Sequence, residues 1–507
     1  MPHGHGLENL RAFGRALTVA AVAFALPAAA FAAGELRVGL ETDVSGFDAV
    51  EGGVLGQTGE IVMRTLQEPL VRYDPDSREY SPLLATEWEL DDSGTRWTFR
   101  LRDDIRFHDG SPLTAADVAA HYNRILDPAQ KSRSRSFIDA IAGAEAVDAT
   151  TVVFTLKHPW LGFMPYMATT SMSGPIPSRA NVEAGKQNRS PLGSGPFRFV
   201  EWTPGDRIVV EKNPDYHDAA SITLDRIVFK VLPDTQTRFA ALKSGEVDVI
   251  WTDRGQTIRQ AEKDGDLVAL QRAGAGAETI LLNARSGPLA DLRVRQAIAH
   301  AFNQPAVVKI IWQDTKPVAV DALGDIVDCG DAGYLGYDPA KAKALLADYG
   351  QPVSLTMVHT ATPRGREIGT LMQQMLKAVG IALELVPVDQ TTLITRTFKR
   401  EFDIVGWRMS DSPDMGPQLY ALVRSDSSYN LSGYSTPELD EMAQAMRTAT
   451  TMEERLALQC AISTEINQAA SQLHWGGGRF HAFTSRRVKG VPPPYRGAVD
   501  VTRARID

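Results

Sequence analysis

Apolar positions along the chain follow two periods. Leu36, Val38 and Leu40 alternate with other residues, which predicts a half-buried strand over 35–40. Strands are likewise predicted over 97–101, 151–156, 197–201, 208–212 and 227–232. A short apolar run predicts a buried strand over 247–251. Residues 61–66 and 236–244 read as helices. Thr114-Ala115-Ala116-Asp117 is a capping box, in which the hydroxyl and the carboxylate each serve backbone N–H groups that the helix leaves unpaired. The helix it starts runs to about Leu126. Asp109-Gly110 and Gly193-Ser194-Gly195-Pro196 are turn and loop chemistry. In the second half, Asp291 caps a helix whose one face carries Val294, Ala297, Ile298, Ala301 and Phe302. Ile368, Leu371, Met372, Met375, Leu376 and Val379 form another helical stripe, and Gly380 ends it. Strands over 353–358, 381–385 and 402–407 and helices over 437–446 and 453–470 complete the pattern. Strands alternating with helices predict an α/β fold built from βαβ units. The sequence shows no internal repeat and no low-complexity linker, so its domains are expected to share one continuous body.

The N-terminus departs from this pattern. Arg11 and Arg15 precede the apolar stretch 16–26, Pro27 breaks it, and Ala30 and Ala32 occupy the −3 and −1 positions of an export-signal cleavage site after residue 32. The stretch is shorter than the roughly 20 residues a membrane span needs. No cysteine lies near the cleavage site, so a lipid anchor is not expected. The length, 507 residues, suggests about three domains. A hydrophobic fraction of 43% and a charged fraction of 23% are those of a soluble globular chain. A mean hydropathy of −0.18 rules out a multi-span membrane protein. The net charge of −9 argues against nucleic acid as a partner, because phosphate binding needs concentrated Lys and Arg. Cys329 and Cys460 are the chain's two cysteines. In an oxidising compartment they form either one disulfide or two buried thiols.

Signatures of catalysis are missing from the sequence. It contains no phosphate-binding G-x-x-x-x-G-K-[ST] loop, no H-E-x-x-H helix and no G-x-S-x-G nucleophile elbow. No two of the ten histidines have metal-ligand spacing on one helix face. His108-Asp109 sits between a strand and a capped helix and reads as a turn whose side chains bond backbone.

Several segments, in this order and spacing, resemble the extracytoplasmic solute-binding proteins of peptide- and nickel-type ABC importers, the dipeptide/oligopeptide-binding family. They are Glu68-Pro-Leu-Val-Arg-Tyr-Asp74, Pro82-Leu-Leu-Ala-Thr-Glu-Trp88, Trp97-Thr-Phe-Arg-Leu-Arg102 through Phe107-His-Asp-Gly-Ser-Pro-Leu-Thr-Ala-Ala-Asp-Val118, Gly193-Ser-Gly-Pro-Phe197, Asn213-Pro-Asp-Tyr216, Asp291-Leu-Arg-Val-Arg-Gln-Ala297, Tyr337 to Leu346 and Gly433 to Asp440. The resemblance covers nearly all of the mature chain. It implies a periplasmic-binding-protein type II fold, with two lobes closing on ligand plus an extra domain. The implied organisation is a signal peptide (1–32), a discontinuous lobe I (33–63, 191–282 and 476–507), an extra domain (64–190) and lobe II (283–475).

The resemblance also points to a ligand site. Family members hold ligand after a strand ending in Gly-Trp, here Gly406-Trp407-Arg408-Met409-Ser410-Asp411-Ser412-Pro413-Asp414. In peptide-binding relatives an Asp three positions after the Trp pairs with the peptide ammonium. Ser410 stands there, which makes Asp411 the first candidate and Asp414 the second; the alternative is a pair of surface-loop carboxylates. Trp407 either stacks on ligand or packs in the hinge. Arg408 either grips a carboxylate bidentately or is a solvated charge. Dipeptide-binding relatives carry a carboxylate-binding Arg where His359 stands here, with Arg364 nearby. Glu41, Thr42 and Asp43 follow the first strand and either touch ligand or shape a loop at the cleft.

The expected function is therefore that of a periplasmic substrate-binding subunit, not an enzyme. It would capture a peptide or peptide-sized polar solute by hinge closure and deliver it to ABC permease transmembrane subunits. No cofactor, metal site, nucleic acid or stable membrane insertion is implied, and a monomer is expected. Metal chelates, haem, opines and small glycans stay open as ligands, since fold does not fix ligand. A periplasmic chaperone and a secreted hydrolase are the alternatives of another class.

Overall fold

A computed structural model describes residues 34–51, 57–171, 173–285, 287–324, 327–409 and 414–507, with backbone alone at 275, 390 and 391. The export-signal segment 1–32 and Asp411 lie outside the described residues.

The main sheet has ten strands. In spatial order they are Ile381–Val388, Val353–Thr360, Ile404–Met409, Leu267–Leu282, Gln472–Ser485, Val249–Thr252, Glu35–Leu40, Arg226–Val231, Arg207–Lys212 and Phe197–Thr203. The central pair, Leu267–Leu282 and Gln472–Ser485, is antiparallel and long, at 16 and 14 residues. Its ladder is interrupted between Ala273 and Ala277, opposite Arg479 and Gly477. Gly276 there has φ +84°, a left-handed conformation that a residue without Cβ adopts freely.

On one side of this interruption the pair adjoins Val249–Thr252, through Val249↔Thr484 to Thr252↔His481. On the other it adjoins Ile404–Met409, through Ala277↔Met409 to Leu282↔Ile404. The hydrophobic cores divide at the same place. One large cluster draws on residues from Leu36 to Val249 and on Ala482 to Ala504, with none from 283–475. The clusters around Ile298, Met372 and Ile404 and around Leu419, Leu439 and Ile462 lie within 280–475. Among the described residues, two separately packed halves thus share two strands. Strand Leu267–Leu282 passes from one half into the other, and from Ala277 onward it pairs with Ile404–Met409.

A separate four-stranded antiparallel sheet, ordered Ala85–Leu90, Arg96–Leu101, Thr151–Leu156, Ile141–Ala146, occupies the region expected to be the extra domain. Helix Ala115–Leu126 covers it, and Phe154 meets Tyr122, Phe163 and Phe99 with ring centroids 4.9, 5.4 and 5.7 Å apart. The expected capping box is formed: the Thr114 backbone N–H donates to Asp117 Oδ2 at 3.0 Å. Gly193 and Gly195 sit where a Cβ would run into the Leu66 backbone, so this crossing admits only glycine. Cys329 and Cys460 are joined in a disulfide with Cα atoms 5.2 Å apart, which resolves the alternative the sequence left open. It fastens the irregular segment after Trp312 to helix Met452–Gln468.

Candidate functional site

Two adjoining cavities lie where the halves face each other. The larger, about 420 Å³, takes Glu60, Arg133 and Phe137 from the N-terminal half and Glu278, Lys316, Phe398, Trp407, Arg408 and Tyr429 from the strands and segments beyond. The smaller, about 300 Å³, is lined by Glu41, Thr42, Asp43, Asp253, Arg364 and Arg408. Gln57 and Arg408 border both. A further cavity of about 460 Å³, behind Glu60 and Arg496, takes no residue from 283–475. Movement of the second half would leave its walls unchanged, so it is not the site of capture by closure.

The site is assembled at strand ends, where α/β sheets expose their loops. Glu41 follows strand Glu35–Leu40, and Asp253 follows Val249–Thr252. Arg364 lies in the first turn of helix Pro363–Val379, which Thr362 caps by accepting from the Gly365 N–H at 3.1 Å. A cation at a helix N-terminus opposes the helix dipole. Here the compensation is Asp253, which pairs with Arg364 across the cleft. Three strands separate Val249–Thr252 from Val353–Thr360, a distance of about 19 Å in a flat sheet. The pair therefore forms only because the halves fold toward each other.

A second charged group completes the floor. Glu278 Oε1 lies 3.2 Å from Lys316 Nζ and 3.5 Å from Arg408 Nε. Lys316 Nζ sits 4.3 Å from the centroid of the Trp312 ring, and Arg364 Cζ sits 5.7 Å from the same centroid. Trp312 is fully buried and donates from Nε1 to the Trp475 carbonyl at 2.8 Å, which fixes the ring between its two cations. Burial by itself would raise the Asp253 carboxyl, but Arg364, Lys316 and Arg408 outweigh it and hold it well below the usual carboxylate range. Glu278 is lowered against its own burial by Lys316 and Arg408. Burial pushes the Lys316 ammonium down. Glu41 is raised, first by burial and then by Asp253 beside it.

The residues expected from sequence divide into two sets. Trp407, Arg408, Arg364 and Glu41 line the cavities. Trp407 packs edge-on to Phe398 with centroids 6.2 Å apart, so it both borders the cavity and anchors its wall. Asp43 and Thr42 border the smaller cavity but hold the loop. Asp43 accepts from Trp202 Nε1 at 3.1 Å and from the Gly205 N–H at 2.7 Å, and the Thr42 hydroxyl bonds Thr58 at 2.9 Å. Asp414 lines neither cavity: it pairs with Arg455 and accepts from the Gly416 N–H at 2.9 Å. His359 is buried, with Nδ1 2.9 Å from the Thr360 carbonyl and its ring against Gly369. The short strand before Asp253 was itself predicted, and its polar end was the available signal. Glu278, a charge directly before the run Thr279-Ile280-Leu281-Leu282, was another. Lys316 lies in irregular chain and carries no pattern. His108 bonds the Gly195 carbonyl at 3.1 Å, and burial pushes its imidazole down to about 4, in keeping with a turn residue.

The family model for bacterial extracellular solute-binding proteins, family 5 (middle region), matches residues 79–430. The chain belongs to this family. Among its relatives, the glutathione-binding protein GsiB of Pectobacterium atrosepticum is 27% identical over 431 residues, 82% of each chain. Di/tripeptide-binding protein 2 of Pseudomonas aeruginosa is 27% identical over 507 residues, covering 93% of this chain and 95% of the relative. The solved structure of MoaA from A. tumefaciens R10, in complex with mannopinic acid, superposes with a TM-score of 0.83 at 25% identity, over 94% of this chain and all of the other. The family's type II periplasmic-binding fold accounts for the two halves and the shared strands. As a family member the chain is a solute-binding protein. Among the described residues no helix is long and apolar enough to cross a membrane, and no group of His, Cys, Asp and Glu could hold a metal ion.

Proposed function

We propose that the chain is the periplasmic substrate-binding subunit of an ABC importer, exported by its N-terminal signal, and that it encloses a peptide or peptide-sized polar solute between two lobes. The observation that carries this reading is the cavity of about 420 Å³ walled from both sides of the interrupted central ladder. Its size is that of a small-molecule site. Separate cores joined by two strands are the construction of a hinge, since bending there disturbs neither core. Lobe I is 33–63, 191–282 and 476–507, lobe II is 283–475, and 64–190 is the extra domain. Trp407, Arg408, Arg364 and Glu41 meet the solute, whereas Thr42, Asp43, His359 and Asp414 hold the frame around it. The closed monomer docks on the permease and performs no chemistry on its cargo.

The relatives named for glutathione and for di- and tripeptides favour a peptide-class solute. The neighbour solved with mannopinic acid favours a second reading, an opine. Calorimetric titration of the mature chain with glutathione, a defined dipeptide pool and mannopinic acid tests both. One saturable site per chain, with the ligand recovered intact, is expected. Absence of heat with all three, or turnover of the ligand, would overturn the proposal.

A further inference from the structure

We infer that the extra domain works as a clasp on lobe II, held through Arg447 and released when His158 takes up a proton. This rests on the closing motion proposed above, not on the identity of the solute, and gives the extra domain a part in that motion.

The first observation is a contact that bridges separately packed cores. Val152, Phe154 and Phe163 belong to the large N-terminal cluster, whereas Leu419, Leu439 and Met446 belong to a cluster of lobe II. Phe137, Ala140 and Trp160 nevertheless face Pro417, Tyr420 and Met446 across a seam of about 20 Å³, room for one water and for no solute. The Tyr166 hydroxyl donates to the Asp414 carbonyl at 3.3 Å, and Gly162 lies where a Cβ would strike the Asp414 carboxylate. Opening of the halves would part this seam, so a bond that holds it adds to closure. Asp139, His158 and Arg447, which carry that bond, line neither cleft cavity.

The second observation is the chemistry of the bond. Arg447 comes from helix Pro437–Thr448, and its side chain is 17% exposed. Its Nη2 donates to Asp139 Oδ1 at 2.8 Å and its Nε to His158 Nε2 at 3.1 Å, while Cζ sits 4.7 Å from the centroid of the Tyr420 ring. Guanidinium nitrogens only donate, so His158 Nε2 accepts with its lone pair. His158 Nδ1 lies 2.9 Å from the Pro159 carbonyl, to which it donates. The geometry thus assigns a neutral imidazole with its proton on Nδ1. A second proton would sit on Nε2, replace the lone pair by an N–H and set two cations face to face. The other charges at this contact are Asp139, Lys157, Asp414 and Arg455. Lys157 donates to the Asp139 carbonyl at 2.6 Å, and both carboxylates are engaged by arginines, Asp139 by Arg447 and Asp414 by Arg455. Protonation therefore costs the clasp its bond from Arg447 to His158.

Pulsed electron paramagnetic resonance on the mature chain, without added solute, tests this. Spin labels go on Glu183→Cys in the extra domain and Lys343→Cys in lobe II, both exposed helix positions, and the native cysteines are bonded to each other. The ratio of the short-distance to the long-distance population should fall by about tenfold from pH 8 to pH 5, the worth of one charge-assisted hydrogen bond. These values span the range in which an imidazole ordinarily titrates. His158→Gln, whose amide oxygen accepts from Arg447 at any pH, should keep the pH 8 ratio at pH 5 while leaving Glu41 and every other titrating group in place. Arg447→Met, with its circular dichroism checked, should show the low ratio at both values, and the His158→Gln comparison decides even if Arg447→Met does not fold. Two populations whose ratio ignores pH, or a pH response retained in His158→Gln, would overturn the clasp and leave the hinge standing. One narrow distance in every chain at both pH values would overturn the closing motion itself, and the clasp with it.

Discussion

The frame around residues 68–118 and the floor of the cavity are both built from charged and aromatic side chains, yet they use them in opposite ways. In the frame, polar side chains lock segments far apart in the chain onto one another. The Tyr216 hydroxyl donates to Glu68 Oε1 at 2.7 Å, Asn213 Nδ2 donates to the Gly195 carbonyl at 3.1 Å, and Asp117 closes on Thr114. In the floor one glutamate serves two cations, and one tryptophan lies within reach of two. A network between fixed segments rigidifies a frame, whereas one drawn from both halves depends on how the halves meet. The same residue types therefore make a scaffold in one place and, on the function proposed above, a receptor in the other.

Substitutions in the two regions should separate stability from binding. The largest stability loss is expected in the frame. Phe154→Ala removes a fully buried ring from the Phe99, Tyr122 and Phe163 cluster and should cost about 3–5 kcal/mol in denaturant unfolding, with solute affinity retained. Replacing both Cys329 and Cys460 by serine should cost about 2–4 kcal/mol by the same measurement. Asp253→Asn strands Arg364 at the cleft, and because Arg364 is partly exposed the cost should be only about 1–2 kcal/mol. That cost falls on the closed state, so it should appear as a larger radius of gyration and weaker solute binding.

Acid should act on the floor with a defined sign. Asp253 and Glu278 are held below their ordinary values, so the unfolded chain binds more protons than the native one as pH falls. Their contribution is complete above the ordinary carboxylate range near pH 4 and is lost below it. The melting temperature should drop there, and less so in Asp253→Asn/Glu278→Gln. Glu41 is raised and has the opposite sign: it weakens the fold as pH climbs past its ordinary value, so Glu41→Gln should melt slightly higher at pH 7. The smallest effect belongs to the surface. Arg102→Ala breaks only its pair with Asp104, at 2.8 Å and largely in solvent, and should move stability by less than about 0.5 kcal/mol.

Legibility in the sequence follows the same division. The helix begun at Thr114, the stripe from Ile368 to Val379 and the strand before Asp253 were readable because local pattern alone specifies them. The two long central strands were not. Gly274, Gly276 and Gly476 to Gly478 interrupt their apolar alternation, and their pairing joins residues some two hundred positions apart. Trp407 and Arg408 stood out through the family resemblance, and they lie within strand Ile404–Met409. Asp414 looked equivalent in sequence, but its role depends on Arg455, which only tertiary packing brings to it. Lys316 illustrates the remainder: nothing about an isolated lysine in irregular chain reveals that it will be buried on Glu278.

Native mass spectrometry of the exported chain, purified without denaturation, tests most directly whether the two halves enclose a solute. One small molecule per chain is expected, released on unfolding and depleted in Arg408→Gln. A wild-type chain that carries nothing, and stays bare in saturating glutathione, dipeptide pool and mannopinic acid, would contradict it.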